Sequence, residues 1–182
     1  NELIPNNFTN GFYVDVGCFH PKKYSNTYML FKKGWKGINI DMEKNKIASF
    51  NLARPNDYNF LGAISDKIEK VKIYRNQKFG VSSTINKNFI KKEDIIDDDN
   101  FQTTTLNIVL ENSPFKRRKI DLLNIDTEGN DLKVLKSLNF DIYSPSLITV
   151  ETHHNKIDEI LKSEIYLFLI SHKYILKSWN VY

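Results

Sequence analysis

Short apolar runs that stop at an acidic residue recur along this chain and constrain its fold more than any other feature. Five runs of strand-forming residues alternate with helical segments; one ends at Ile64, and the others end at Asp15, Asp41, Asp126 and Glu151. Strands that alternate with helices predict an α/β fold with a parallel sheet. Because ligands bind beyond the carboxyl ends of such strands, we expect these acids to share one cleft.

The first run, residues 12–16, is predicted to be a buried strand that turns at Gly17. A glycine at this point lets the backbone approach a ligand closely, so we expect Asp15 and Gly17 to face the ligand. Ser25 or Asn26 is expected to cap the helix that follows.

The second run, residues 36–40, stops at Asp41 at the spacing of one β-α-β unit. A carboxylate here accepts hydrogen bonds from both ribose hydroxyls and repels a 2′-phosphate. We therefore expect an adenosine-type ligand with a free ribose.

The rest of the chain continues the alternation. An excursion around residues 71–83 is expected to form a β-hairpin over the ligand. The elements that we predict are helices over 43–54, 131–137 and 157–170, strands over 59–64, 71–74, 120–125, 145–150 and 174–179, a strand edge leading into a helix over 103–111, and polar loops at 82–83 and 91–100.

A second chemical constellation is Asp126-Thr-Glu128-Gly129, at the end of the 120–125 strand. Two carboxylates this close invite a cation, an amine or a proton-transfer role. They could equally cap the helix that follows.

Composition bounds the class of protein. The 182 residues are 41% hydrophobic and 13% aromatic, enough for one core, so we expect a single domain over 1–182. The net charge of +4 is spread out and does not argue for an anionic partner. The single cysteine, Cys18, excludes an intramolecular disulfide and favours a cytoplasmic location, and no apolar run predicts a membrane span.

Several segments together resemble the FkbM-type family of S-adenosylmethionine-dependent methyltransferases. They are Phe12-Tyr-Val-Asp-Val-Gly17, Ser25-Asn-Thr27, Lys32-Lys-Gly-Trp-Lys-Gly-Ile-Asn-Ile-Asp41, Arg54-Pro55, Ile125-Asp-Thr-Glu-Gly129 and Glu151. The most specific are Gly34-Trp-Lys-Gly37 with Asp41, and Asp126-Thr-Glu-Gly129, in this order and spacing. The resemblance extends from about Gly11 to the C-terminus.

The resemblance implies a three-layer, Rossmann-like class I methyltransferase fold. Such a fold has a seven-stranded, mostly parallel sheet with helices on both faces and a final antiparallel hairpin. The chain ends just after the sixth predicted strand, so we expect the seventh to be truncated. Where many members have a second glycine after Gly17, this chain has Phe19-His20-Pro21, which makes the loop stiffer.

The resemblance also implies S-adenosyl-L-methionine as cofactor and O-methylation, often of a sugar hydroxyl. The acceptor is thus expected to be a small molecule or glycan. The implied cofactor-binding residues are Asp15 and Gly17 along the methionine part, Asp41 at the ribose, Ala63 and Ile64 beside adenine, and Ser25, Asn26, Met42 and Asp126 as further contacts.

Methyl transfer to a hydroxyl also needs a proton acceptor near Asp126. We favour His153 or His154, since an imidazole pKa of about 6.5 suits a base. Asp126 and Glu128 are the alternatives, and the histidine pair could instead be a solvated loop. His20 is expected to stiffen its loop by hydrogen bonding.

Two further side-chain roles are weighed in the same way. Cys18 is expected to pack beneath the cofactor rather than act as a nucleophile. Asp126, Glu128, Glu151 and a histidine could bind a divalent cation, but their spacing matches no known metal motif, so we expect none.

Other functions fit less well. An NAD-binding Rossmann enzyme should have Gly-x-Gly-x-x-Gly after the first strand, where this chain has only Gly17. A nucleotide triphosphatase needs a Gly-Lys-Ser/Thr loop, which is absent. A nucleic-acid methyltransferase needs a broad basic face, and the one dense basic run, Lys116 to Lys119, is better explained as a solvated helix end. A non-catalytic adenosine-ligand-binding domain of the same fold stays open as the alternative.

Overall fold

The computed structural model describes residues 3–75, 83–89 and 96–180. The elements, in chain order, are β1 (Phe12–Val16), α1 (Tyr28–Lys32), β2 (Lys36–Asp41), α2 (Lys44–Ala53), β3 (Tyr58–Leu61), β4 (Ala63–Ile64), β5 (Lys70–Arg75), β6 (Ser83–Thr84), a 3-10 turn (Lys87–Phe89), β7 (Ile96–Thr104), α3 (Leu106–Asn112), β8 (Leu122–Ile125), α4 (Asp131–Lys136), β9 (Leu147–Val150), α5 (Ile157–Ile160) and α6 (Glu164–Ser171). Within the described ranges, no helix has the length and apolar character to span a bilayer.

A five-stranded sheet forms the centre of the fold. Its order is β3-β2-β1-β8-β9, and every neighbouring pair is parallel. Strand β1 has neighbours on both edges, and all five of its residues are buried. Asp15 lies opposite Asn39 of β2 and Asn124 of β8, so these three strands end at the same edge. The predicted α/β architecture on a parallel sheet is confirmed.

The alternation of side chains along β1 divides the apolar core between the two faces of the sheet. Phe12, Val14 and Val16 belong to the larger core, which includes residues of α3, α4 and α6. Tyr13 points to the other face, where it packs with Leu30 of α1 and with Trp35. Helices therefore contribute to the core on both faces.

A second, four-stranded sheet has the order β4-β7-β5-β6. Strand β4 pairs with β7 in parallel, and β5 pairs with β6 and β7 in antiparallel fashion. The predicted strand at 71–74 and its antiparallel hairpin are thus confirmed. Ser83 lies in β6 rather than in a polar loop, and Ser82 lies outside the described residues.

The prediction of one strand over 59–64 is wrong. The Gly62 amide donates to the Asp41 carbonyl oxygen (3.0 Å), just where β3 leaves β2. Beyond Gly62, β4 pairs with β7 in the other sheet. The run is thus divided at Gly62: residues before it belong to the five-stranded sheet, and residues after it belong to the four-stranded sheet.

The predicted loop over 91–100 is also wrong in its second half. Residues from Ile96 onward belong to β7, and residues 91–95 lie outside the described part of the chain. Hydrogen bonding of the backbone to β5 outweighs the low strand propensity of an acidic run. The predicted passage from strand to helix over 103–111 is confirmed by β7 and α3.

Three expectations about helix ends and the last strand are corrected. Thr27, not Ser25 or Asn26, precedes α1, and it makes no capping hydrogen bond. The helix predicted over 157–170 is broken into α5 and α6, because the Ser163 hydroxyl accepts from the Tyr166 amide and starts a new helix. Residues 174–179 form no strand, since no neighbouring strand of the described structure pairs with them.

Candidate functional site

A cavity of about 230 Å³ opens where β1, β2 and β8 end. All nine residues proposed to bind a cofactor line it: Asp15, Gly17, Ser25, Asn26, Asp41, Met42, Ala63, Ile64 and Asp126. Three of its acids come from neighbouring parallel strands or their ends, as expected for a shared cleft. Further lining residues that the sequence did not single out include Lys46, Asn124 and Asn130.

Asp15 is buried at the floor of this cavity. Its carboxylate accepts hydrogen bonds from the Thr27 hydroxyl (2.7 Å) and from the Asn124 amide (2.8 Å). Burial raises the pKa of Asp15, whereas these two hydrogen bonds lower it. The carboxylate is thus held in one orientation by β8 and by the residue before α1.

Asp41 lies at the end of β2 and is only 6% exposed. Its carboxylate accepts from the backbone amides of Phe19 (3.2 Å) and Glu43 (2.9 Å), and Lys46 Nζ lies 3.3 Å from it. Burial raises the pKa of Asp41, and the Lys46 ammonium opposes that shift. Asp41 therefore ties the loop after β1 to the start of α2 while facing the cavity.

Gly17 makes the close approach between β1 and β8 possible. Its φ is +80°, and a Cβ atom there would lie 1.7 Å from the Asp126 carbonyl oxygen. No other residue type fits this conformation and this space. The backbone cradle beneath the cavity exists because position 17 has no side chain.

The far wall of the cavity is apolar. Ala63 and Ile64 of β4 are both 4% exposed, and Ile64 also belongs to the larger core. The Asn130 side chain, just before α4, donates to the Ile64 carbonyl oxygen (2.7 Å). This bond holds the wall against residues 126–130 between β8 and α4, which we call the Asp126 loop. A flat apolar group fits against such a surface.

Carboxylates accumulate at the ends of β8 and β9. Burial raises the pKa of Glu151 to about 8, and the charges of Asp126 and Glu128 add to the shift. Burial likewise raises the pKa values of Asp126 and Glu128. With a pKa raised to about 8, Glu151 is mostly protonated at neutral pH, next to the carboxylates of Asp126 and Glu128.

Of the four residues proposed as catalytic, Asp126 and Glu128 line the cavity and the two histidines do not. His153 Nε2 lies 3.5 Å from Glu151 Oε2, and the His153 ring packs on Phe89 with centroids 4.5 Å apart. His154 faces away, with Nδ1 4.0 Å from Glu159 Oε2 of α5.

Two other residues serve the loop that follows β1. His20 Nδ1 accepts from the amides of Lys22 (3.0 Å) and Lys23 (2.9 Å), which confirms its loop-stiffening role. Cys18 is buried against Ile47 and Phe50, and burial raises the pKa of its thiol, so it is a packing residue as expected.

Asp131, Glu151 and His153 place one potential metal ligand atom each within 4.8 Å of one another. Both oxygens of Asp131 already have donors: Thr127 N (2.8 Å) and Oγ1 (2.9 Å) bond Oδ1, and Gly129 N (3.1 Å) bonds Oδ2. The position of the Asp131 carboxylate is thus accounted for by hydrogen bonds to the loop before α4, without a metal ion.

The segment from β6 to the 3-10 turn covers the Asp126 loop. The Thr84 hydroxyl donates to the Glu128 carbonyl oxygen, and the Asn86 amide donates to the Gly129 carbonyl oxygen, both at 2.9 Å. A Cβ atom on Gly129 would lie 2.1 Å from the Phe89 ring. Ser83 and Ile85 of this segment line the cavity, as expected for a hairpin over a ligand.

Three of the six non-glycine residues with positive φ in the described part of the chain line the cavity. Phe19, Tyr24 and Glu128 line it and have φ values of +53°, +54° and +52°. Non-glycine residues in this region cost free energy and are typical of binding and catalytic sites.

The basic run 116–119 has structural partners. Lys116 pairs with Glu111 (2.7 Å), and the Arg118 guanidinium donates to the Asn10 carbonyl oxygen (3.1 Å) and lies over Phe12. These contacts give the basic run a structural explanation.

Asn124, Asn130 and Lys46 line the cavity but were not predicted, because their sequence patterns are weak indicators of a site. Asn124 lies two residues before Asp126, so both side chains of this strand point to the same face. Asn130 is a cap-type residue before a predicted helix, and Lys46 lies in the first turn of another. None of these signals identifies a cavity without the fold.

A cavity at the carboxyl ends of the strands is where parallel α/β sheets bind ligands, and this one has acids on one side and an apolar wall on the other. A model of the Methyltransferase FkbM domain matches residues 15–176. The chain therefore belongs to the FkbM methyltransferase family, which confirms the resemblance. Comparisons with curated proteins and with solved structures give no significant match.

Proposed function

We propose that this methyltransferase binds S-adenosyl-L-methionine in the strand-end cavity and methylates a hydroxyl oxygen of a sugar or glycan. The observation that carries the proposal is the convergence of Asp15, Asp41 and Asp126 on one cavity. Membership of the family supports methyl transfer in general. The proposed fold is the three-layer class I type, as a single domain over residues 1–182.

The chemistry of the lining groups fits this donor. Carboxylates of Asp15 and Asp41 match an ammonium group and ribose hydroxyls, which are hydrogen-bond donors. The apolar pair Ala63 and Ile64 matches an adenine face. A Cβ atom at position 17 would clash with the Asp126 carbonyl oxygen, so the glycine lets the two backbones pack together beneath the ligand.

S-adenosylmethionine supplies a sulfonium methyl group, whose carbon–sulfur bond breaks as a carbon–oxygen bond forms, leaving S-adenosylhomocysteine. The residues of the chain hold the donor and the acceptor oxygen in line and accept the hydroxyl proton. Positioning accounts for most of the rate enhancement in such a transfer.

Asp126 and Glu128 are the proton acceptors that the geometry favours, because both line the cavity. Burial raises the pKa values of both, which makes each a stronger base than an exposed carboxylate. His153 stays a candidate base because it lies 3.5 Å from Glu151 at the end of β9. His154, which lies beside Glu159, is the weakest of the four candidate bases.

Calorimetric titration of the purified protein with S-adenosylmethionine and with NAD tests the donor. We expect heat with the first ligand only; heat with NAD alone would reject the proposal. A screen of sugar, lipid and small-molecule hydroxyls with a radiolabelled methyl donor tests the acceptor. Donor binding without transfer to any hydroxyl would favour a non-catalytic adenosine-binding domain.

A further inference from the structure

A buried arginine lies behind the cavity without lining it. Arg54 follows α2, and its side chain is 0% exposed. The rings of Phe50, Phe31 and Tyr13 surround the guanidinium, with centroids 5.0, 5.1 and 5.8 Å from Cζ. A cation in such surroundings is stable only when hydrogen-bonded and compensated by negative charge.

The hydrogen bonds of Arg54 reach three points of the loop between β1 and α1. One terminal nitrogen donates to the Thr27 hydroxyl (2.9 Å), and the other donates to the Pro21 carbonyl oxygen and to the Ser25 hydroxyl (3.0 Å). The planar fork holds these groups in fixed relative positions. Ser25 lines the cavity, so the arginine acts on the cavity wall from behind.

Arg54 also fixes the direction of a hydrogen-bond relay to Asp15. Because Thr27 Oγ1 accepts from the guanidinium, its own hydrogen is left to donate to Asp15 Oδ2 (2.7 Å). The same pattern recurs at Tyr13, whose hydroxyl accepts from Arg54 (2.9 Å) and donates to Asp57. Two carboxylates thus compensate the buried charge, each through one hydroxyl.

We propose that Arg54 is a positioning residue of the donor site: it orders the 17–27 loop and, through Thr27, sets the orientation of the Asp15 carboxylate. The inference rests on the proposed function for its consequence, because Asp15 is the proposed partner of the donor's amino group. Arg54 touches neither the donor nor the reacting atoms in this arrangement.

Thr27→Val tests the relay with the least disturbance, since valine keeps the shape of threonine and leaves Arg54 in place. We expect the Kd for S-adenosylmethionine to rise about tenfold, the scale of a lost hydrogen bond to a charged group. The acid limb of the Kd–pH profile should also move to higher pH, because Asp15 loses a donor to its charged form. Arg54, Asp126 and Cys18 act on Asp15 electrostatically and are unchanged in this variant.

Arg54→Met and Arg54→Lys test the fork itself. We expect faster amide exchange across residues 17–27 in both variants, without ligand, because a lysine cannot bond three loop positions at once. The stability control is Val109→Ala, a buried position of α3 in the larger core on the other face. It should lower the unfolding midpoint yet leave the Kd within about twofold and the loop exchange unchanged.

The two proposals fail in different ways. If the wild type binds S-adenosylmethionine, an unchanged Kd and acid limb in Thr27→Val overturn the relay. If titration of the wild type with S-adenosylmethionine gives no heat, the proposed function is wrong, and so is the role of Asp15 in binding the donor. Loop exchange in the Arg54 variants no faster than in Val109→Ala would overturn the ordering role in either case.

Discussion

At the scale of single residues, Asp41 has both a structural role and a place in the cavity wall. It accepts two backbone amides and lies 3.3 Å from Lys46 Nζ, and it also faces the cavity. A carboxylate has about four acceptor positions, so ribose hydroxyls can share it with these donors.

Asp41→Ala is expected to weaken S-adenosylmethionine binding by about 1 to 3 kcal/mol, the range for hydrogen bonds to a charged group. Calorimetric Kd values for wild type and variant check this. The matched control is Asp66→Ala, an exposed acid just past β4, whose Kd should equal that of wild type. Equal Kd values for wild type, Asp41→Ala and Asp66→Ala would show that Asp41 does not bind the ribose.

Protonation of Glu151 contributes to the pH dependence of folding stability. Its folded pKa is about 8, above the ordinary 4.5, so the protonated form contributes stability that is fully present below pH 4.5 and is lost as pH rises through about 8. Glu151→Gln should therefore unfold at the same urea midpoint as wild type near pH 5. It should be more stable by about 1 kcal/mol near pH 9, a reduced value because the side chain is 35% exposed and solvent screens the charge.

Urea titrations at both pH values measure this effect. Glu159→Gln, on the exposed α5 position beside His154, serves as the control and should follow wild type. A Glu151→Gln variant with the pH dependence of wild type would show that the carboxyl cluster is already neutralised.

At the scale of elements, the segment from β6 to the 3-10 turn is held on the Asp126 loop by two hydrogen bonds. Its contact with the loop depends on Gly129, whose φ is +88° and whose missing Cβ leaves room for Phe89. The segment therefore closes one side of the cavity through specific contacts of a few side chains.

Asn86→Ala should destabilise the protein by about 1 kcal/mol, because the Gly129 carbonyl oxygen loses its donor. The exposed Asn88, two residues further, offers a substitution of the same kind, and Asn88→Ala should cost less than about 0.5 kcal/mol. Urea midpoints of the two variants compare the predictions directly. Equal midpoints would mean that the Asn86 side chain does not hold the segment.

At the scale of the whole molecule, the cavity joins parts distant in sequence, from β1 to the loop before α4. A ligand that bridges them binds the folded chain and not the unfolded one. Binding and global stability are thus linked by mass action.

S-adenosylmethionine at 100 times its Kd should add about 2.7 kcal/mol of stability. For a chain of 182 residues this corresponds to a rise in Tm of about 5 to 10 °C. Thermal melts with S-adenosylmethionine, S-adenosylhomocysteine and NAD measure it, and NAD should leave Tm unchanged. An equal rise with all three would contradict a site selective for the methyl donor.

Local patterns predicted most of the main sheet. Apolar runs, the turn at Gly17 and the acids at 15, 41 and 126 are properties of short segments, and period and turn chemistry act within such segments. The parallel order of the central strands follows from their alternation with helices. The strand ends also placed Asp15, Gly17 and Asp41 at the ligand, whereas the other cavity residues were named from the resemblance to the family.

The errors in strand assignment involve partners distant in the chain. Residues 59–64 divide between two sheets, the acidic run after residue 95 pairs with β5, and residues 174–179 find no neighbour in the described structure. Strand formation needs a hydrogen-bonded partner, and no local pattern states which partner is present.

The amino-acid sequence by itself determined a parallel α/β sheet, acids at its strand ends and membership of a methyltransferase family. Only the tertiary structure decided that Arg54 is buried behind the loop and that Thr27 links Arg54 to Asp15 by hydrogen bonds. It also decided that burial and neighbouring carboxylates raise the pKa of Glu151. The physical reason is that burial and charge compensation depend on three-dimensional distance. Residues 27 or 109 positions apart become partners only when the strands between them have packed.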